Sequence, residues 1–426
     1  MTPSTTNLSA KSSNYIFSIV IIGALFFIFG FVTWLNGTLI PFLKISCELG
    51  SNTQALLVAS AFYISYFFMA QPSAFVLRKT GFKNGMSLGL FIMAIGSLVF
   101  IPAAFSRTFW LFLTGLFIQA TGLTLLQTAV NPYVTIIGPR DSAAKRISIM
   151  GICNKVAGAI SPLILGFIVL KNTDQIVETL KTITGVQRQI ILDSLAQRVI
   201  LPYIVMAIIL VGLSVMIRFV HLPEVDTDTE EDLYATDGTK KTSLWHFPQL
   251  ILGFIALFGY VGVEVMAGDT IVLYGQSQGI ALETARLFTT CTLISMIVGY
   301  ILGIITIPRI ISQSKALAIS AILGIVFSIA AILTSGYISV ACIALLGLAN
   351  ALMWPAIWPL AIADLGKFTK TGSALLIMGI IGGATIPLLY GGLTDILHNS
   401  QQAYWIMVPI YLFILYYAIL GYKIRR

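Results

Sequence analysis

Three charged side chains interrupt long apolar stretches of this chain: Lys155, Glu264 and Asp269. A charge at membrane depth costs at least about 2.5–3.5 kcal/mol, so each is a functional candidate that needs a partner or water. Lys155 stands about nine residues, or about 14 Å of helix, from the nearest polar edge, too far for its side chain to snorkel fully. It must meet a wet cavity or a carboxylate. Glu264 lies near the middle of its apolar stretch. Asp269 follows five residues later, a rotation of roughly 140° on an α-helix, so the two carboxylates do not share a face and do not read as a like-charged dyad. Asp269 is read as an outer-end residue that reaches interfacial water.

Neutral polar residues gather at similar depth. Gln127 and Asn131 are four apart and point to one side of a helix. Asn154 precedes Lys155, and Asn36-Gly37-Thr38 breaks an apolar run. Amides both donate and accept hydrogen bonds, which suits a ligand made of hydroxyls. The rings of Trp34, Trp354 and Trp358 can stack on the apolar face of a sugar. Singly, any of these is an ordinary interhelical hydrogen bond or interface ring; as a set they read as a polar site. The four cysteines (Cys47, Cys153, Cys291, Cys342) and three histidines (His221, His246, His398) form no ligand cluster, so no metal site is expected. With no nucleophile–base pair and no phosphate loop, no enzyme is expected either.

The elements that must hold these groups follow from composition. Of 426 residues 57% are apolar and 10% charged, against about 45–50% and about 25% in soluble domains; mean hydropathy is +0.93. That excludes a cytosolic enzyme, a nucleic-acid binder, a disordered tail and a secreted disulfide scaffold, and it leaves room for about twelve helices of about 20 residues. Apolar runs fall at about 16–43, 54–77, 85–104, 108–137, 146–170 and 197–221, then at about 247–275, 284–307, 315–335, 337–363, 371–393 and 403–422. They are continuous rather than alternating, hence helices and not a membrane barrel. The first run is too long for a signal h-region and no cleavage pattern follows it.

Lys11, Arg78, Lys79, Lys83, Arg140, Lys145, Arg146, Arg309, Lys315, Lys367, Lys370, Lys423, Arg425 and Arg426 fall on one side. Only Lys44, Arg107 and Arg286 fall on the other once the two long loops are set aside. The positive-inside rule then makes both termini cytoplasmic, and the net charge of +8 reflects these loops rather than nucleic-acid binding. Residues 171–196 read as a short surface helix.

The chain also repeats itself. Phe29-Gly30-Phe31-Val32 returns as Phe258-Gly259-Tyr260-Val261, an offset of 258 − 29 = 229. Met150-Gly151-Ile152 returns as Met378-Gly379-Ile380 (378 − 150 = 228), and Ala159-Ile160-Ser161-Pro162 as Ala384-Thr385-Ile386-Pro387 (384 − 159 = 225). Asn131-Pro132 matches Trp354-Pro355 (354 − 131 = 223). The reading is two parallel six-helix halves, 1–221 and 247–426, joined by an acidic cytoplasmic linker, 222–246. Such repeats place a solute site between the halves near the midplane and expose it alternately by rocking. Pro132, Pro355 and Pro359 break backbone hydrogen bonds in spans 4 and 10. Gly151, Gly158 and Gly166 in span 5, with Gly379, Gly382 and Gly383 in span 11, permit close helix approach.

These residues resemble the fucose and glucose/galactose permease group of the major facilitator superfamily. The strings that carry the resemblance are Trp34-Leu35-Asn36 with Leu39-Ile40-Pro41, Leu126 to Thr135, Cys153-Asn154, and Tyr260 to Val265. Arg78-Lys79-Thr80-Gly81-Phe82-Lys83 is similar to the superfamily's basic loop between spans 2 and 3, which implies a gating role for Arg78, Lys79, Gly81 and Lys83. The resemblance implies an all-α membrane protein of twelve helices, multi-pass in a bacterial inner membrane. It implies import of a monosaccharide by alternating access, with Asn36, Gln127, Asn131, Asn154 and Trp354 lining the sugar cavity beside Glu264. Where the family usually has an aspartate after the span 1 asparagine this chain has Gly37, and Gln127 stands where fucose permeases carry a glutamate. Tyr300 replaces a common arginine, and Lys155 replaces a small polar residue.

Three functions follow from these residues. The first is cation-coupled sugar symport, driven by H+ or Na+, with Glu264 as the coupling carboxylate. The second is uncoupled uniport, or carriage of an anionic sugar derivative, with Lys155 supplying a fixed positive charge that pairs with Glu264. The third is a receptor or scaffold that transports nothing. The expected partners are a small sugar and the lipid bilayer, with no nucleic acid, no cofactor beyond the co-transported ion, and a functional monomer.

Overall fold

The computed structural model describes the backbone of residues 5–136, 143–220, 244–307, 310–363, 365 and 369–424. It describes no side chains for 5–16, 78, 131–132, 135–136, 143–148, 369–371 and 373–374. Among the described residues the fold is all helical, with twelve helices long and apolar enough to cross a membrane. The first six are α1 (Phe17–Ser46), α2 (Asn52–Leu77), α3 (Lys79–Ser106), α4 (Phe109–Val130), α5 (Ile149–Val169) and α6 (Gly185–Phe219). The second six are α7 (Pro248–Ser277), α8 (Leu282–Thr306), α9 (Gln313–Leu333), α10 (Gly336–Ile362), α11 (Leu375–Leu397) and α12 (Ser400–Lys423). The continuous apolar runs fold this way because a helix satisfies its own backbone where no water can. Their outer faces carry exposed Ile208, Ile305 and Val326, which suits lipid contact.

Successive spans reverse direction, which creates two faces. The terminal face carries the N- and C-terminal ends; the distal face carries the turns after α1, α7, α9 and α11. Residues 171–196, expected as one short surface helix, instead form two helices, Thr173–Thr182 and Gly185–Gln197. The chain turns between them at Gly185, whose φ of +65° is left-handed. The Arg78–Lys83 segment turns at Gly81, where φ is +74°, so the kink between α2 and α3 requires glycine. Lys79 lies 4.4 Å from the Phe75 ring. The Arg78 side chain and linker residues 221–243 lie outside the described residues.

Gln127 and the Asn154-Lys155 pair sit in continuous helices, Phe109–Ile136 and Ala143–Val169, whereas four other spans are interrupted. In α1 the helix stops at Thr33 and a new one starts at Asn36, and α7 contains a π-turn over Met266–Thr270. α10 is interrupted between Asn350 and Met353, and α11 holds a 3-10 turn at Gly379–Ile381. The duplication extends to the packing. A Cβ on Gly30 would sit 1.9 Å from the Asn154 carbonyl oxygen, and one on Gly382 would sit 1.9 Å from that of Phe258. These positions correspond in the repeat to within one residue (258 − 30 = 228; 382 − 154 = 228), so both halves cross α1 on α5, or α7 on α11, at one close backbone contact that only glycine permits.

Candidate functional site

Lys155 of α5 and Glu264 of α7 meet across the two halves. The ammonium Nζ donates to Glu264 Oε1 at 2.8 Å, with both side chains about nine-tenths buried. Of the wet cavity or carboxylate that Lys155 needed, the carboxylate is in place. The same ammonium lies 4.4 Å from the Trp34 ring centroid, a cation–π contact that adds to the pairing. Trp34 occupies the α1 break, and its ring fits only because glycines flank it. A Cβ on Gly158 would fall 2.4 Å from the ring, and one on Gly268 only 2.2 Å from it. Tyr260 and Tyr300 are also electrostatic neighbours of Glu264.

Asp269 requires a correction. It does not reach interfacial water: it is fully buried, and neither carboxylate oxygen has a hydrogen-bond partner among the described residues. The π-turn explains the difference. Its wider coil sets the residues after Met266 on different faces from those an uninterrupted α-helix gives, so counting residues to the end of the span does not place the side chain. Asp269 instead faces the backbone N–H of Gly37 in α1, with Glu264 and Lys155 as its charged neighbours.

The amides divide between the same region and an adjoining cleft. Asn154 is buried and its Nδ2 donates to the Phe26 carbonyl at 3.5 Å. Asn36 is fully buried, with neither amide atom partnered among the described residues. Gln127 is half-buried and donates through Nε2 to the Tyr66 hydroxyl at 2.7 Å. It lines a narrow cleft between α1 and α4 with Leu25, Phe26, Phe29, Leu126 and Val130. The Asn131 side chain lies outside the described residues. Trp354 is half-buried on α10, stacked on Trp358 with centroids 5.4 Å apart and tilted against Tyr260 at 6.4 Å. Sequence reasoning passed over Tyr63 and Tyr66 of α2, since tyrosines in apolar helices are common; their stacked rings, 6.3 Å apart, connect the Gln127 side to the Asp269 side.

On the distal face the halves are tied by two sets of hydrogen bonds related by the duplication. The Ser60 hydroxyl of α2 donates to the Ala384 carbonyl of α11 at 2.8 Å, and the Thr290 hydroxyl of α8 donates to the Ala159 carbonyl of α5 at 2.8 Å. These are repeat partners (290 − 60 = 230; 384 − 159 = 225). Further out, Asp395 accepts from the N–H groups of Asn52 and Thr53, both at 3.0 Å, and from the Thr53 hydroxyl at 2.6 Å. Asp174 accepts from the N–H groups of Leu282 and Glu283, both at 2.9 Å. Each carboxylate thus caps the first turn of a helix in the opposite half, where orphan N–H groups and the helix dipole favour an anion. Neither aspartate stood out in the sequence, because acids at span ends are ordinary there.

Comparison with known proteins adds to this geometry. Residues 22–385 match the family model described as Major Facilitator Superfamily. The chain is 32% identical to a glucose/galactose transporter of Brucella abortus over 423 residues, covering 97% of this chain and 96% of that protein. It is 29% identical to an L-fucose-proton symporter of Escherichia coli over 402 residues, covering 93% and 91%. Its fold superposes on the crystal structure of the transporter FucP in the outward conformation with a TM-score of 0.72 at 26% identity, over 95% of this chain and 98% of the other.

Proposed function

The chain belongs to the major facilitator superfamily, and from that premise we propose that it is a secondary carrier moving a neutral hexose of the glucose, galactose or fucose kind across a bacterial inner membrane. It is a multi-pass membrane protein and not an enzyme. The two bundles, 1–221 and 247–426, rock about the site while the linker 222–246 joins them on the cytoplasmic, terminal face.

The observation that carries this reading is the Lys155–Glu264 pair. It joins α5 of one half to α7 of the other at membrane depth, beside aromatic rings and amides. Removing two charges from water is expensive, and well-packed apolar residues in their place are often no less stable. A buried pair at the seam between moving bodies therefore earns its place by function. Because the pair is neutral as a unit, it offers hydroxyls both an acceptor and donors without selecting an anion, which favours a neutral hexose over a sugar acid. Asn36, Gln127, Asn131, Asn154 and Trp354 line the sugar path in this reading, with Trp354 and Trp358 supplying a stacking surface. Arg78, Lys79, Gly81 and Lys83 hold the terminal face when the distal face opens. Coupling to H+ or Na+ falls to the core charges Glu264, Lys155 and Asp269, and the protein works as a monomer.

Counterflow tests the reading. Purified protein in liposomes preloaded with unlabelled glucose, galactose or fucose should drive transient entry of the labelled sugar, and Lys155→Gln should abolish it. Exchange of sugar acids but no neutral hexose would overturn the proposal.

A further inference from the structure

The mechanism so far shares coupling among three core charges without assigning the ion to one of them. Asp269 is fully buried at the π-turn of α7, and both of its oxygens lack a hydrogen-bond partner among the described residues. Opposite it, in the α1 break, the fully buried Asn36 amide is also unpartnered at both atoms. The two elements are in direct contact there. A Cβ on Gly37 would fall 2.6 Å from the Thr289 hydroxyl of α8 and 3.2 Å from the Gly268 carbonyl, and that hydroxyl already donates to that carbonyl at 2.8 Å. Among the described residues the donor that faces the carboxylate is a neutral one, the Gly37 backbone N–H.

The surrounding charges point the same way. Glu264 of α7 and Lys155 of α5 face Asp269, as does the Tyr63 phenol of α2 and the Gly37 N–H of α1. Lys155 is the only cation among these neighbours, and its ammonium is bonded to Glu264 at 2.8 Å. An ionised Asp269 would leave two carboxylates to one ammonium in a dry core. An unpaired buried carboxylate costs far more than taking up a proton, so such groups neutralise instead.

We propose that Asp269 carries the proton that drives sugar uptake. This deepens the sugar-carrier reading and rests on it. While the halves stand apart on the distal face, water reaches α7 and the carboxylate takes a proton from it. Closure by the Asp395 and Asp174 caps expels that water and commits the proton. When the terminal face opens, the O–H bond breaks, the proton passes to water on that side, and the carboxylate is left hydrated. One proton moves and no covalent bond to sugar forms. A π-turn suits the task, since these irregular turns concentrate at functional sites and alter which side chains face a cavity.

The experiment compares counterflow with accumulation in the same liposomes. Counterflow needs no driving ion; accumulation under an acid-outside gradient does. With one proton per sugar, a gradient of about one pH unit supports up to about tenfold accumulation, equivalent to about 1.4 kcal/mol. The wild-type protein should approach that ratio without sodium. Asp269→Asn should equilibrate sugar and exchange it but accumulate none, and Asp269→Glu should recover part of the accumulation. Since Asp269→Asn replaces a neutral acid with a neutral amide of the same shape, its thermal unfolding should match the wild type, and failure of that variant to fold counts against the proposal. Accumulation by Asp269→Asn at the wild-type ratio overturns it. So does wild-type accumulation that follows a sodium gradient and ignores protons, an outcome that leaves the sugar-carrier reading standing. Absence of hexose counterflow in the wild type removes that reading itself, and is distinguishable because it needs no gradient.

Discussion

Replacing Asp395 with asparagine should open the distal face. The carboxylate bridges the end of α11 to the start of α2 through two backbone N–H groups at 3.0 Å and the Thr53 hydroxyl at 2.6 Å. Loss of an N-cap side chain costs about 0.5–2 kcal/mol. Asn retains an acceptor, and Asp395 is only partly buried, so screening trims its charge contribution. About 1 kcal/mol remains, which shifts the closed-to-open ratio about fivefold. Asp174→Asn removes the equivalent acceptor from Leu282 and Glu283. The two sites share no partner, so their effects should add, to roughly 25-fold in the double variant. Pulsed electron resonance between spin labels at Gly50 and Leu397, in a protein whose four cysteines are serine, reads the distance between the halves on this face. A longer-distance population should grow from each single variant to the double. If both singles and the double give the wild-type distance distribution, the caps do not hold the face closed and the reasoning fails.

Removing one member of the buried ion pair should be worse than removing both. Lys155→Met and Glu264→Gln singly strand a buried charge, at about 3–5 kcal/mol, whereas the double variant strands none; thermal unfolding in detergent should rank the double above either single. Burial pushes the Cys47 thiol up, against smaller lowering effects from Ser46 and Arg107. The reactive thiolate is therefore scarce at neutral pH, and alkylation by an impermeant maleimide should be slow at pH 7 and rise with pH. The same label tests orientation: Cys47 should react on intact cells, and reaction confined to inverted vesicles would place the distal face inside. Gly30→Ala and Gly382→Ala each force a methyl group to within 1.9 Å of a carbonyl oxygen. Each should lower stability by at least about 1–3 kcal/mol, seen as a loss of folded protein on size exclusion.

Much of this architecture was legible because membranes leave few options. Twelve continuous apolar runs give twelve spans, and Asn36-Gly37-Thr38, Pro355 and Gly379 lie at or beside the interruptions of α1, α10 and α11. The depth of Lys155 called for a wet cavity or a carboxylate, and Glu264 supplies the second. Asp269 was misplaced for an equally physical reason. Counting residues assumes a constant rotation per residue, and the π-turn at Met266–Thr270 breaks that assumption without a sequence signature of its own. Asp174 and Asp395 were illegible because capping across two halves is a tertiary relation: the cap and the capped turn lie more than a hundred residues apart, as in Leu282 to Asp174 with 282 − 174 = 108.

The duplication also constrains how the carrier is biased. Paired hydroxyl-to-carbonyl bonds in repeat-equivalent positions and one aspartate cap from each half close the distal face, so both halves contribute to holding it. The core charges break the symmetry. One half contributes Lys155, and the other contributes Glu264 and Asp269. With Asp269 neutral the seam holds a balanced pair; with it ionised the seam holds an excess negative charge away from water, at a cost that the low-dielectric core magnifies. The bonds that close the distal face contain no group that senses the transported species, so selectivity between loaded and unloaded states must reside in the asymmetric part. On the proposal above, a carrier built from two nearly equal bundles couples its rocking to a proton through three side chains, while the gradients set the direction.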